Sequence, residues 1–236
     1  RTGDAPLRTP PLMHLTPPEL GRRLLESADG ETVTGIGARR VAGHVAAGLR
    51  IVPTDPTATI DAVDLWADPD TGVVLAVHID TGGTAPVIES SFVEVHLRSP
   101  SGATMQFDPT QVDALPLLAT TVDPIETAAG LSFVELPGSL GGLPRRNDPD
   151  AGLATYGDGL TTVSLLVVPQ GALGRRISRL PRAERPWGGE AALIETSLVN
   201  IEIVQVAGFE VVLAGTVTVA ELDRIAGELV SSGGVL

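Results

Sequence analysis

Apolar residues recur along this chain at two spacings, and the spacing of two dominates. The helical spacing appears near each end. Thr16-Pro17-Pro18-Glu19 reads as a helix start: Thr16 is the N-cap, Pro17 takes the first helical position and Glu19 stands at N3. Leu20, Leu24 and Ala28 then share one face with Leu25 beside them, which predicts a helix from Pro17 to about Ala28. Near the C-terminus Thr218 caps a second helix, with Glu221 at N3 and Leu222, Ile225, Ala226 and Leu229 as its apolar stripe.

Between the helices the pattern predicts strands. Val45 to Val52 and Ile60 to Ala67 come first, then the turn Asp68-Pro69-Asp70-Thr71-Gly72 and a returning strand from Val73 to Asp80. Strict alternation in that return places Val73, Leu75, Val77 and Ile79 on one apolar face, with Val63 and Leu65 alternating on the strand before it. Val87 to Leu97 and Thr104 to Phe107 follow, then a Pro- and Asp-interrupted connector over residues 108–130. A second β region is expected at Phe133–Leu136, Gly152–Tyr156, Thr161–Val168, Ala191–Thr196, Leu198–Val206 and Phe209–Ala214. The Arg-, Pro- and Gly-rich stretch from Arg175 to Gly189 reads as an exposed loop.

Composition narrows the classes. With four Phe, two Trp and one Tyr, the core must be built from aliphatic residues, and the abundance of Val suits strands. The net charge of -13 opposes a nucleic-acid partner and adsorption to anionic lipid by charge alone. All 16 basic residues are Arg, which with the Ala, Gly, Val and Pro content suggests a GC-rich genome, such as an actinobacterial one. There is no Cys, hence no disulfide and no thiol chemistry. No run reaches membrane-spanning length; Thr161 to Gly174 is short and carries Pro169. The chain opens at Arg1 rather than Met, as expected of a piece of a longer protein.

Catalytic and metal motifs are weak. His14, His44, His78 and His96 lack metal-helix spacing, although His78 and His96 could meet across a sheet. Gly35-Ile36-Gly37 lacks the third glycine of a dinucleotide loop, and Pro137-Gly138-Ser139-Leu140-Gly141 has Pro where a nucleophile elbow needs Gly. The loops Asp68-Pro-Asp70-Thr-Gly72 and Asp148-Pro-Asp150-Ala-Gly152 lack the closing Glu of a calcium loop. No cofactor, metal or catalytic residue is expected. The basic concentrations are Arg145-Arg146 and the group Arg175, Arg176, Arg179, Arg182 and Arg185, either a solvated loop or a docking patch for an acidic partner or lipid headgroup.

Residues 40–80 resemble a segment of the MucB/RseB-type sigma-factor regulators and LolA-like carriers. The shared features are Val41-Ala42-Gly43, Pro53 and Asp55, Leu65-Trp66, Asp68 and Thr71-Gly72, with His44 where the family often has Arg. GLATYGDGLTTVSLLVV and FEVVLAGTVTVAELDRIAGEL are similar to the family's C-terminal strands and last helix. The resemblance implies an α+β, mostly β fold: half of a LolA-like open antiparallel β-barrel with a packed helix over 1–107, then a connector over 108–130 and an RseB-like α+β domain over 131–236. It further implies an extracytoplasmic location, by anchoring or secretion, and a partner that is an extracytoplasmic segment of a membrane protein, a missing N-terminal barrel half, or a lipid.

Three functions remain open at this stage. One is a non-catalytic regulator or sensor ectodomain. Another is a lipid or lipoprotein carrier sheltering an acyl chain on the face formed by Val63, Leu65, Val73, Leu75, Val77 and Ile79. The third is a hydrolase with an unmarked site. A roomy apolar cavity favours the carrier; a sealed core with a charged surface favours the regulator.

Overall fold

The computed structural model describes residues 12–97, 136–146, 153–170, 180–206 and 208–232. Helix α1 (Pro17–Glu26) follows a single 3-10 turn and precedes a five-stranded sheet of β1 (Thr32–Val41), β2 (His44–Val52), β3 (Ala62–Ala67), β4 (Val74–Asp80) and β5 (Ile88–Ser91). The strands lie in chain order and every pair is antiparallel. The single antiparallel sheet and the helix packed on one of its faces match expectation. The strand over Thr104–Phe107 and the connector lie outside the described residues.

Strand β1 was not predicted. Its sequence TVTGIGARRV breaks alternation with two glycines and an arginine pair, yet Thr, Val and Ile suit the pleat. It turns into β2 through Ala42-Gly43, both at positive φ (48° and 86°), as a two-residue type I′ hairpin requires. The Val-Ala-Gly feature of the sequence is therefore a turn. Asp68 makes the next one: its Oδ1 accepts the backbone N–H of Asp70 and Thr71 and the Thr71 hydroxyl, and Gly72 completes it at φ 71°. The Thr71 bonds hold the Asp68 carboxyl below its ordinary value.

Strand β5 is shorter than predicted. In the β3–β4 ladder Ala76 faces Trp66 but Val74 faces Ala67, so Leu75 is an extra residue there, and its carbonyl accepts the N–H of Phe92 just past the end of β5.

Beyond a small hairpin of β6 (Ser139–Leu140) and β7 (Leu143–Pro144), a six-stranded sheet is built from β8 (Leu153–Tyr156), β9 (Val163–Pro169), β10 (Ala183–Glu184), β11 (Glu190–Ile194), β12 (Asn200–Val206) and β13 (Phe209–Gly215). Its order is β10-β11-β12-β13-β9-β8, so the β8–β9 hairpin docks against the last strand of the β11–β13 meander. Helix α2 (Val219–Ser232) buries the predicted stripe Leu222, Ile225, Ala226 and Leu229 against this sheet. Within the Pro137–Gly141 segment Ser139-Leu140 form β6 itself, and Gly141-Gly142, both at positive φ, make the turn to β7. Among the described residues both sheets are open, and neither closes into a barrel.

The sheets are joined by specific bonds. Ala58 bridges Val217, Thr59 N–H donates to Thr216 O at 3.0 Å, and Thr218 N–H donates to Thr57 O at 2.8 Å. Asp55 shapes this connection by accepting the N–H and hydroxyl of Thr57. Glu31 Oε1 accepts the N–H of Leu160 at 3.0 Å, and a side chain at Gly159 would collide with that carboxylate. Leu160 is buried in the core of the first sheet, with Leu198 packed against it.

Candidate functional site

The first sheet has two unlike faces, set by its register. On the helix side Val63, Leu65, Val77 and Ile79 are buried with Ile51, and Leu20 and Leu24 of α1 pack over them. Leu65 is 2% exposed and Val63 and Val77 are 0% exposed, so this part of the expected acyl-binding face is filled by the protein itself. Gly21 lets α1 descend this far: a Cβ there would lie 2.8 Å from a methyl of Val74. The predicted alternation fails at the bulge. Leu75 belongs to the opposite cluster with Trp66, Val41 and Ala46, and Val73 packs there too. Val73 and Leu75 therefore share no face with Val77 and Ile79.

The opposite face carries a row of polar and aromatic groups. Trp66 lies at its centre, with the Arg39 guanidinium 4.4 Å above its ring and the His78 ring 4.9 Å away, edge on. His78 Nε2 lies 3.3 Å from Arg39 Nη1 and 3.3 Å from Glu89 Oε1. A neutral Nε2 can accept from Arg39; a protonated one donates to Glu89 instead. Beside them Arg50 grips Asp64 in a bidentate pair at 2.6 and 2.7 Å. The pairing of His78 with His96 does not occur: His96 lies 3.6 Å from Glu94, exposed.

Two glycine-dependent features hold this row together. The β1 bulge between Ile36 and Arg39 turns the Gly37 carbonyl toward the Trp66 indole N–H, which donates to it at 3.2 Å. Gly48 lies beneath: a Cβ there would sit 2.6 Å from Ile36 Cγ1, 2.7 Å from Gly37 O and 3.0 Å from Trp66 Nε1. Trp66 and His78 are diagonal neighbours on one face of the β3–β4 hairpin, where Trp66 faces Ala76 and His78 faces Asp64. Arg39 was missed because β1 was missed. His44, where the resembling family often has Arg, places Nδ1 3.9 Å from Asp68 Oδ2.

Of the arginine group, Arg182 and Arg185 are held against the fold. Arg175, Arg176 and Arg179 lie outside the described residues. Arg185 is mostly buried and donates twice to Asp223, at 2.8 Å each. Arg182 donates to Ile203 O at 3.4 Å and lies 4.0 Å from the buried carboxylate of Glu210. These two cations tie the loop to β12, β13 and α2. Arg185 also lies 4.0 Å from Glu202, which is 0% exposed, accepts the Trp187 indole N–H at 3.1 Å through Oε1, and has no hydrogen-bond partner at Oε2. Burial pushes the Glu202 carboxyl up, and nearby Asp223 adds to this. Trp187, Asp223, Arg224 and Gly227 border an open depression of about 530 Å³.

Among the described residues no group of three His, Asp or Glu side chains is arranged to hold a metal. No described helix is long and apolar enough to cross a membrane.

Comparison with known proteins gives no match to a family model and none to a curated protein. Among solved structures the chain is similar to the Pseudomonas aeruginosa MucA/MucB complex, at 20% identity over 83% of this chain with TM-score 0.47. It is also similar to MucB in complex with MucA(peri), at 20% identity over 85% with TM-score 0.49, and to MucB alone, at 21% over 83% with TM-score 0.44. The chain spans 63%, 67% and 61% of the length of those three chains, respectively.

Proposed function

We propose that this chain is a non-catalytic, extracytoplasmic binding protein of the sigma-factor-regulator type, a sensor ectodomain that engages an extracytoplasmic segment of a membrane protein. The observation that carries this reading over the carrier is the filled helix face. Val63, Leu65, Val77 and Ile79 pack against the protein's own α1, while the charged face around Arg39, Trp66 and Glu89 lies on the other side. An acyl chain needs an apolar cavity, and this face has given its volume to side chains. The carboxylates near that face are engaged: Asp64 by Arg50, Asp68 by its own turn. The family-like features at Val41–Gly43, Asp55 and Asp68–Gly72 support the same reading.

The test is cross-linking of the protein in its native cell envelope, with mass spectrometry of the purified adduct and of the uncross-linked protein. A membrane-anchored protein cross-linked through its extracytoplasmic segment is the expected result. A stoichiometric acyl lipid retained by the uncross-linked protein, with no protein adduct, would overturn the reading in favour of the carrier.

A further inference from the structure

His78 lies within a polar row that crosses the first sheet. The register sets Arg50 opposite Asp64, Asp64 opposite His78 and His78 opposite Glu89, on the face turned away from α1. Charge alternates along this row except at His78, which stands between two carboxylates and is neutral or positive according to pH.

The charged groups around His78 come from every neighbouring strand. Asp64 on β3 is held by Arg50 of β2 in the bidentate pair. Glu89 on β5 approaches His78 Nε2 to 3.3 Å, with its side chain 57% exposed. Asp80 lies two residues along β4, and Asp61 donates its backbone N–H to the Asp80 carbonyl. Arg39 on β1 reaches across to the same Nε2. Beyond β5, Glu94 and His96 lie beside each other. On the far side of the sheet α1 pairs its Glu19, Arg22, Arg23 and Glu26 among themselves.

The two contacts at Nε2 exclude each other. An arginine only donates, so the Arg39 contact requires a bare Nε2, with the ring proton on Nδ1. An ionised glutamate only accepts, so the Glu89 contact requires a proton on Nε2. Arg39 and Glu89 stand at the same 3.3 Å, and the proton decides which is bonded. Among the described residues Arg39 has no carboxylate partner; it is held by Nε2 and by the Trp66 ring, 4.4 Å below its guanidinium. Protonation removes the first of these and places a second cation beside the same ring.

We propose that His78 is a pH-operated switch: on taking a proton at Nε2 it exchanges Arg39 for Glu89, and the Arg39 guanidinium leaves Trp66. The face then presents a different charge. At neutral pH the Glu89 carboxylate is free and the guanidinium is held; in acid the carboxylate is paired and the guanidinium is free. The switch is a property of the sheet and goes beyond the binding reading above, since it operates whatever the protein binds.

The test is a solution NMR titration of the full chain from about pH 8 to about pH 5.5, within the range where histidine changes charge. Nitrogen-15 shifts report the tautomer and protonation of the His78 ring. The Trp66 ring current moves the Arg39 δ-methylene protons upfield while the guanidinium lies over it. The Nδ1–H tautomer and an upfield Arg39 signal are expected at the alkaline end. The upfield displacement should be lost with the same midpoint as His78 protonation, while the Trp66 indole N–H, bonded to Gly37 O, keeps its position and so separates the switch from acid unfolding. His78→Gln should hold the Arg39 signal upfield at every pH, because its amide oxygen still accepts from Arg39. Glu89→Gln, at an exposed side chain, should move the common midpoint to lower pH. An Arg39 signal that stays upfield while His78 titrates, unequal midpoints, an Nε2–H tautomer at the alkaline end, or no titration of His78 in this range would each overturn the proposal. So would a pH-dependent Arg39 signal that survives in His78→Gln, since another group would then drive it. If His78→Gln does not fold, the matched midpoints and their displacement in Glu89→Gln decide the matter.

Discussion

Truncation of Leu65 to alanine discriminates a sealed face from a ligand-binding one. Leu65 is 2% exposed, faces Leu49 on β2 and Val77 on β4, and belongs to the core over which Leu20 and Leu24 pack. Leu65→Ala removes three carbon atoms. At about 0.8 kcal/mol per buried methylene the transfer loss is roughly 2.4 kcal/mol. The site collapses poorly because β3 is bonded into ladders on both sides and α1 lies above it, so a cavity contribution raises the total to about 3–4 kcal/mol. For a chain of this size that lowers the melting temperature by about 6–15 °C. The assay is urea unfolding followed by circular dichroism, with titration of a fluorescent acyl probe on the same samples. Val93→Ala, at a side chain 95% exposed, is the control and should move stability by less than about 0.5 kcal/mol. If Leu65→Ala costs under about 1 kcal/mol while abolishing saturable probe binding, Leu65 lines a ligand cavity and the assignment of this face to the core is refuted.

Glu202→Gln should stabilise the protein at pH 7. Burial raises the folded-state pKa, so the favourable contribution of the protonated carboxyl is fully present below the ordinary carboxylate pKa of about 4.3 and is lost as pH rises through the raised value. The advantage of glutamine should therefore shrink toward pH 4, and a flat difference between the two unfolding curves from pH 4 to 8 would contradict this. Arg185→Ala should cost about 3–5 kcal/mol by leaving Asp223 buried without its bidentate partner, whereas a role confined to docking predicts unchanged denaturant midpoints. Gly48→Ala should destabilise by about 1–3 kcal/mol and shift Trp66 fluorescence, because its methyl meets Ile36, Gly37 O and the indole; unaltered emission and stability would show that β2 yields there freely.

Alternation and end signals determined a good part of this molecule without any coordinates. Helices at Pro17 and after Thr218, the strands from His44 to Asp80, and the Asp68–Gly72 turn depend on local propensity and on one face being apolar, which a linear pattern records. Apart from Leu65-Trp66 inside β3, the recognisable features of residues 40–80 lie at turns and junctions: Ala42-Gly43, the Asp55 turn and the Asp68 turn. Such positions demand particular backbone conformations or side-chain oxygens, so their chemistry shows in the residue types. What the chain pattern concealed was decided by contacts between distant segments. β1 is a strand because β2 offers it a ladder, despite Gly35 and Gly37. The bulge at Leu75 inverts the facing of every residue before it, so Val73 and Leu75 fall on the Trp66 side, which strict alternation cannot reveal. Arg185 reads as a loop cation until α2 brings Asp223 within 2.8 Å of it. Whether an apolar face shelters a ligand or a core depends on what packs over it, and here α1, some forty residues away in sequence, supplies the cover.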